Sequence, residues 1–115
     1  MQELEMLRAI LDSYPYPIVF VDNDYIIRYM NQNARYHYYQ ERGYHDLIGS
    51  SLFNCHDQPS SVEKIKSAYE GIRRNGKEVF IGVSARNQRI YMQGVRGAAG
   101  QWIGFFERFE LNLQK

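Results

Sequence analysis

From Glu78 onward the chain alternates apolar and polar residues, and this period of two constrains the fold more than any other feature. Residues 78–86 place Val79, Ile81 and Val83 on one face. A turn at Asn87-Gln88 leads into 89–96, and Gly97-Ala98-Ala99-Gly100 leads into 101–111. Three strands joined by short turns form an antiparallel meander. Gly82, Gly94 and Gly104 fall inside these strands, where glycine ordinarily weakens pairing. Their presence implies sharp curvature or the close approach of a helix or ligand. Within the same alternation, Glu78 and Glu107 read as the solvent-facing partners of their strands.

The first half of the chain supplies what this sheet must pack against. Residues 2–12 carry a stripe of Leu4, Leu7 and Leu11 at helical spacing, with Glu3 and Glu5 in the first turn, where the helix dipole favours acids. Pro15 and Pro17 end that helix. The β-branched run at 17–22 predicts a mostly buried strand, Asp22-Asn23-Asp24 a turn, and 25–30 a second strand. Asn31 is placed to cap a tyrosine-rich helix over 32–40, which Gly43 breaks, and 46–49 predict one further helical turn. Ser60-Ser61-Val62-Glu63 has the form of a capping box. Beyond it Val62, Ile65, Ala68, Tyr69 and Ile72 share one helical face, and Asn75-Gly76 supplies a left-handed stop. Strands at both ends with helices between them give an α+β order, with residues 1–13 as a flanking amphipathic helix and 14–112 as the domain.

Composition narrows the function classes. A chain of 115 residues makes one domain with one core. A net charge of +1 provides no field for nucleic acid or acidic membranes. The basic residues Lys64, Lys66, Arg73, Arg74 and Lys77 are interleaved with Glu63, Glu70 and Glu78, as on a solvated helix face. One cysteine fits a reducing compartment, no apolar run approaches the ~20 residues that span a bilayer, and the acidic N-terminus is unlike a secretory signal; a soluble cytoplasmic protein is expected.

Four segments, in order, resemble the PAS domain family: Pro17-Ile18-Val19-Phe20-Val21-Asp22, Tyr29-Met30-Asn31-Gln32-Asn33-Ala34, Gly43-Tyr44-His45-Asp46-Leu47-Ile48-Gly49, and Gly100-Gln101-Trp102-Ile103-Gly104. More narrowly, Cys55-His56 with Ser60 and Ile65, Val95-Arg96 and the Gly104 strand are similar to PAS modules that stand alone or lie beside hemerythrin-like domains. The resemblance implies a five-stranded antiparallel sheet, helices covering one face over a central pocket, and a sensory or dimerising role. The fold does not choose among heme, flavin, a metabolite or an empty pocket.

The 52–60 stretch holds the only cysteine beside a histidine, in a loop that opens with two apolar residues. Packing is the plainest reading of Cys55 and His56. Either could ligate heme iron axially, and His56 could lower the thiol pKa for redox sensing. Asn54-Cys55 resembles the dipeptide of light-sensing flavin PAS domains, but it stands six residues after Gly49 instead of three, and His56-Asp57-Gln58-Pro59 replaces the expected Arg-Phe-Leu-Gln. A metal needs three or four converging ligands, and His37 and His45 have no spacing that supplies them. No cofactor is therefore the favoured expectation, with heme and flavin left open.

Strand and loop position nominate Tyr29, Asn33, Phe53, Cys55, His56, Tyr91 and Met92 as ligand contacts, and Leu4, Leu7 and Leu11 as a homodimer interface. An enzyme on this scaffold would want a carboxyl group inside an apolar pocket. Asp12, Asp22, Asp24, Asp46 and Asp57 do not fall mid-strand among apolar alternates, so a non-enzymatic sensory and ligand-binding module is expected. A ligand-free protein–protein interaction module is the alternative. The 115 residues contain no output domain, which leaves two expectations open: a separate signalling partner, or a short regulator in its own right.

Overall fold

The computed structural model describes residues 1–54 and 58–113. The chain runs α1 (Glu3–Ser13), β1 (Ile18–Asp22), β2 (Ile27–Met30), α2 (Gln32–Arg35) continuing as a π-helical segment (Tyr36–Glu41), a 3-10 turn (Leu52–Asn54), α3 (Pro59–Asn75), β3 (Val79–Val83), β4 (Gln88–Arg96) and β5 (Trp102–Leu111). All five strands join one antiparallel sheet in the order β2-β1-β5-β4-β3. The hairpin from the first half and the meander from the last thus meet along the β1–β5 ladder, and the middle of the chain covers one face.

Alternation decides which side chains enter the core. Val19 and Val21 of β1, Met92 of β4 and Phe105 of β5 are buried in one cluster with Ile65, Tyr69 and Ile72 of α3, while Phe109 of β5 is buried against His37 of the π-helical segment. Phe20, Phe106, Tyr91 and Arg108 take the opposite parity, on the outer face. Gly94 and Gly104 are needed for close approach. A Cβ on Gly94 would lie 2.6 Å from both Ile72 Cγ2 and Trp102 Cζ3, so α3 seats directly on the strand. At Gly104, φ is +151° and a Cβ would run into the Val21 carbonyl oxygen of the neighbouring strand.

Asn31 ties the N-terminal elements together. Its Oδ1 accepts from the Ala34 and Ile18 N–H groups at 2.9 Å, and its Nδ2 donates to the Leu11 and Tyr16 carbonyls at 3.0 Å. The predicted cap is present, and the same fully buried amide joins α1, β1 and α2.

Several local expectations are overturned. α3 starts at Pro59 with Gln58 as its N-cap and no side-chain capping bond, so Ser60 lies inside the helix and the capping box does not form. A proline at the first position already fits a helix start, because its ring fixes φ and its missing N–H would have been unpaired. Residues 46–49 form no helix. Asp46 and Gly49 both have positive φ, and the Gly49 N–H donates to the Ile27 carbonyl at 2.7 Å. The tyrosine-rich helix is α-helical only to Arg35 before widening to π geometry. Val79 and Val83 do not share a face, because a bulge between Phe80 and Gly82 inserts Ile81 and shifts the parity. Val83 then pairs with Arg89 and is exposed.

Candidate functional site

The central strand carries the largest departure from the sequence expectation. Glu107 does not face solvent: it is only 4% exposed. Phe105 and Phe109 flank it along β5, and Val19 and Met92 stand opposite it on the two neighbouring strands. It is thus a carboxyl set into an apolar surface. Its Oε1 is buried and has no hydrogen-bond partner among the described residues. Burial pushes its pKa up to about 7 from an ordinary 4.5, because removing water penalises the charged form.

Two clefts meet at this residue. One, of about 190 Å³, lies between α3 and the β3 edge and is walled by Ile65, Lys64, Ile81, Ile90 and Glu107. The other, also about 190 Å³, lies under the π-helical segment and is walled by His37, Tyr38, Arg42, Ala85, Ile90, Glu107 and Phe109. Glu107 and Ile90 are common to both, so the clefts are two arms around one polar point.

The π-helical segment closes the second arm. His37 is buried, its ring 5.8 Å from that of Phe109. Burial lowers its pKa, partly offset by the carboxylate of Glu41, to which Nδ1 is hydrogen-bonded at 3.2 Å. The same Glu41 oxygen accepts from Arg86 Nη1 at 2.9 Å, which fastens the helix to the β3–β4 turn across the cleft mouth.

The nominated contacts are scattered over the molecule. Met92 is fully buried on the cleft face, directly opposite Glu107. Phe53 packs on Tyr25 with ring centroids 5.1 Å apart and borders neither arm. Tyr29 lies on the outer side, in a hollow with Leu11, Ile18, Phe20 and Phe106. Tyr91 is also outside, with the Arg108 guanidinium 4.6 Å over its ring and Phe80 beside it. Asn33 donates to the Tyr14 carbonyl at 2.9 Å and serves the α1–β1 connection. Cys55 and His56 lie outside the described residues. Leu4 and Leu7 are exposed, and α1 buries none of its residues.

Sequence reasoning missed Glu107, Ile90 and His37. The signal for Glu107 was present: Phe105 and Phe109 lie two residues to either side, whereas Arg108 and Glu110 mark the other parity as the wet one. Phe106 obscured it by giving both faces an aromatic residue. Among the described residues no three His, Cys, Asp or Glu side chains converge as metal ligands, and no helix is long and apolar enough to cross a membrane.

A sequence model of the PAS domain family matches residues 7–105. No curated protein matches the chain. Among solved structures, the C-terminal domain of a Streptococcus mutans protein is 24% identical, with a TM-score of 0.70, covering 95% of this chain and 84% of its own. A PAS domain from Colwellia psychrerythraea is 18% identical, with a TM-score of 0.68 and 99% and 100% coverage. A sensory box sensor histidine kinase from Vibrio cholerae is 16% identical, with a TM-score of 0.63 and 96% and 93% coverage.

Proposed function

The chain belongs to the PAS domain family, sensory modules of signal transduction, and from that premise we propose that it senses a small molecule held in the two arms around Glu107. The observation that carries this reading is the unpartnered, buried carboxyl oxygen where the two clefts meet. An orphaned buried acceptor is uncommon and costs about 1–3 kcal/mol, so its retention is accounted for if a ligand completes it. Binding, not catalysis, is the function proposed. A related fold has been solved with a ligand, as VqmA bound to DPO, at 15% identity and a TM-score of 0.64.

The 52–56 loop is also proposed as a ligand contact, on the residue types it carries: Cys55 beside His56, next to Phe53, which packs against the core. Native mass and visible absorption of freshly purified protein test this reading. Extra mass, a Soret band or a flavin spectrum that disappears on Cys55 or His56 substitution supports it; a ligand unaffected by either substitution removes the loop from the site.

A homodimer is proposed as the output surface, with residues 1–13 as its flank. Exposed Leu4 and Leu7, with Ile10, continue past Leu11 into the outer hollow of about 260 Å³ formed with Ile18, Phe20, Tyr29 and Phe106. An apolar stripe beside an apolar hollow fits a second copy of the same surface. Light scattering at tens of micromolar that returns the mass of one chain refutes the dimer. A ligand-free interaction module is the second reading, favoured by the small size of each arm. A separate protein partner fits both; the histidine kinase ThkA, of the same fold over part of its length, was solved in complex with the response regulator TrrA.

A further inference from the structure

We propose that the Glu107 carboxyl anchors a small uncharged ligand that carries a hydrogen-bond donor next to an acceptor, as a carboxamide or a lactam does. This deepens the reading of the two arms as a ligand site and rests on it. The first argument is the company Glu107 keeps. Val19, Met92, Phe105 and Phe109 surround it in the sheet, and none offers a charge or a strong hydrogen bond. Burial in that setting raises the carboxyl's pKa to about 7, so the group keeps its proton under mildly acid conditions. A protonated carboxyl presents one donor and one acceptor side by side. Its complement is a molecule with the same pair reversed.

Charge at the cleft walls argues in the same direction. The titratable groups lining this region are Lys64 from α3 and His37, Tyr38 and Arg42 from the π-helical segment, with the Glu41–Arg86 ion pair behind His37; β3 and β4 contribute none among the lining residues. The lining of each arm thus holds one fixed cation, Lys64 or Arg42; the acid nearest the second mouth, Glu41, is already engaged by Arg86 and His37. A cationic ligand would meet two like charges on its way to one carboxyl. An uncharged ligand meets no such repulsion. Ile65, Ile81, Ile90 and Phe109 fit an apolar body behind the polar pair. Each arm, at about 190 Å³, is below the roughly 300–1,000 Å³ of pockets for drug-sized molecules, so the ligand is of fragment size.

Isoleucine-methyl-labelled full chain, titrated with 2-pyridone, N-methyl-2-pyridone and benzylamine near pH 5.5 and near pH 8.5, tests the assignment. The expected result is that 2-pyridone shifts the Ile65, Ile81 and Ile90 methyls, that its N-methyl analogue, which lacks the donor, binds roughly tenfold or more weakly, and that 2-pyridone binding weakens roughly tenfold or more at the higher pH. Glu107→Gln keeps a donor and an acceptor and should bind 2-pyridone without that pH dependence. Glu107→Leu should lose the preference over the N-methyl analogue while the methyl spectrum reports a folded chain. Equal binding of both pyridones to the wild type overturns the anchor but leaves the clefts as a site. Benzylamine binding that tightens as pH rises overturns it in favour of a carboxylate–cation pair. No methyl shift with any probe overturns both this assignment and the cleft reading, and these wild-type comparisons stand even where a variant fails to fold.

Discussion

Replacing Glu107 with Gln should change how stability depends on pH. The carboxyl is buried at the meeting of the two arms, and its pKa stands at about 7 in the fold against an ordinary 4.5. The folded state therefore keeps a proton that the unfolded chain releases. The wild type carries no penalty below about pH 4.5, loses stability as the pH rises, and levels off once the folded group has also ionised, above about pH 7. At about 1.36 kcal/mol for each pH unit between those limits, the full loss is about 3 kcal/mol, a large share of the 5–15 kcal/mol that typically stabilises a domain. The Glu107→Gln side chain has nearly the same shape and does not titrate. Other groups move in both proteins and cancel in the comparison. Burial also acts on His37, but there it lowers the pKa, so its contribution is lost as the pH falls below about 6.5 and has the opposite sign. At Asp22 burial opposes ionisation, yet bonds from Arg28 and from the Ile26 and Asp24 N–H groups outweigh it and hold its pKa down, so it titrates below this window. Urea unfolding at intervals from about pH 5 to pH 8.5 gives the two curves. The wild type should lose about 2.5 kcal/mol relative to the variant across that range, the rest of the loss falling below about pH 5. Parallel curves would refute the burial of an uncompensated carboxyl.

Three further outcomes follow from the geometry. Asn31→Ala removes four hydrogen bonds at a fully buried junction and should cost about 3–5 kcal/mol in urea unfolding, with Asn31→Asp also destabilising because its carboxylate would face the Leu11 and Tyr16 carbonyls. Gly104→Ala forces a Cβ against the β1 backbone at a φ that side chains avoid, and should cost about 3 kcal/mol or more, seen as a lower urea midpoint or loss of soluble protein. Leu4→Glu with Leu7→Glu should leave stability to urea within about 0.5 kcal/mol, since both side chains are exposed, while light scattering shifts to the single-chain mass.

What could be read from the sequence was whatever depended on period and local chemistry. The alternation after Glu78 and the β-branched run near Val19 specified five strands, and the four matching segments specified how they join. Asn31 as a cap and Gly76 as a left-handed stop, at φ +72°, were legible because each residue type satisfies one local need. Features set by three-dimensional neighbours were not legible. The bulge at Ile81 depends on the facing strand and moves Val83 outward against its own alternation. Proline at the start of α3 overrode the hydroxyl-and-glutamate pattern that follows it. Glu107 was misjudged because charged residues rarely enter a core without a partner, and the prior for exposure was strong. The proposed site therefore centres on an acid of the inner face, where the sequence nominated the 52–56 loop with Tyr29, Asn33, Tyr91 and Met92.

The attachment of α1 has a mechanical consequence. The helix buries no side chain, and among the described residues its hydrogen bonds to the rest of the chain come from Leu11 and Asp12 at its far end, the first through Asn31 and the second to the Gln32 N–H at 2.8 Å. It is a rod pivoted at one tip. Eleven residues at about 1.5 Å each give an arm of about 16 Å, so a tilt of about 10° at the pivot sweeps the opposite tip through about 3 Å. Asn31 also grips β1 through the Ile18 N–H, so a small twist of that strand reaches the pivot directly and is magnified along the rod.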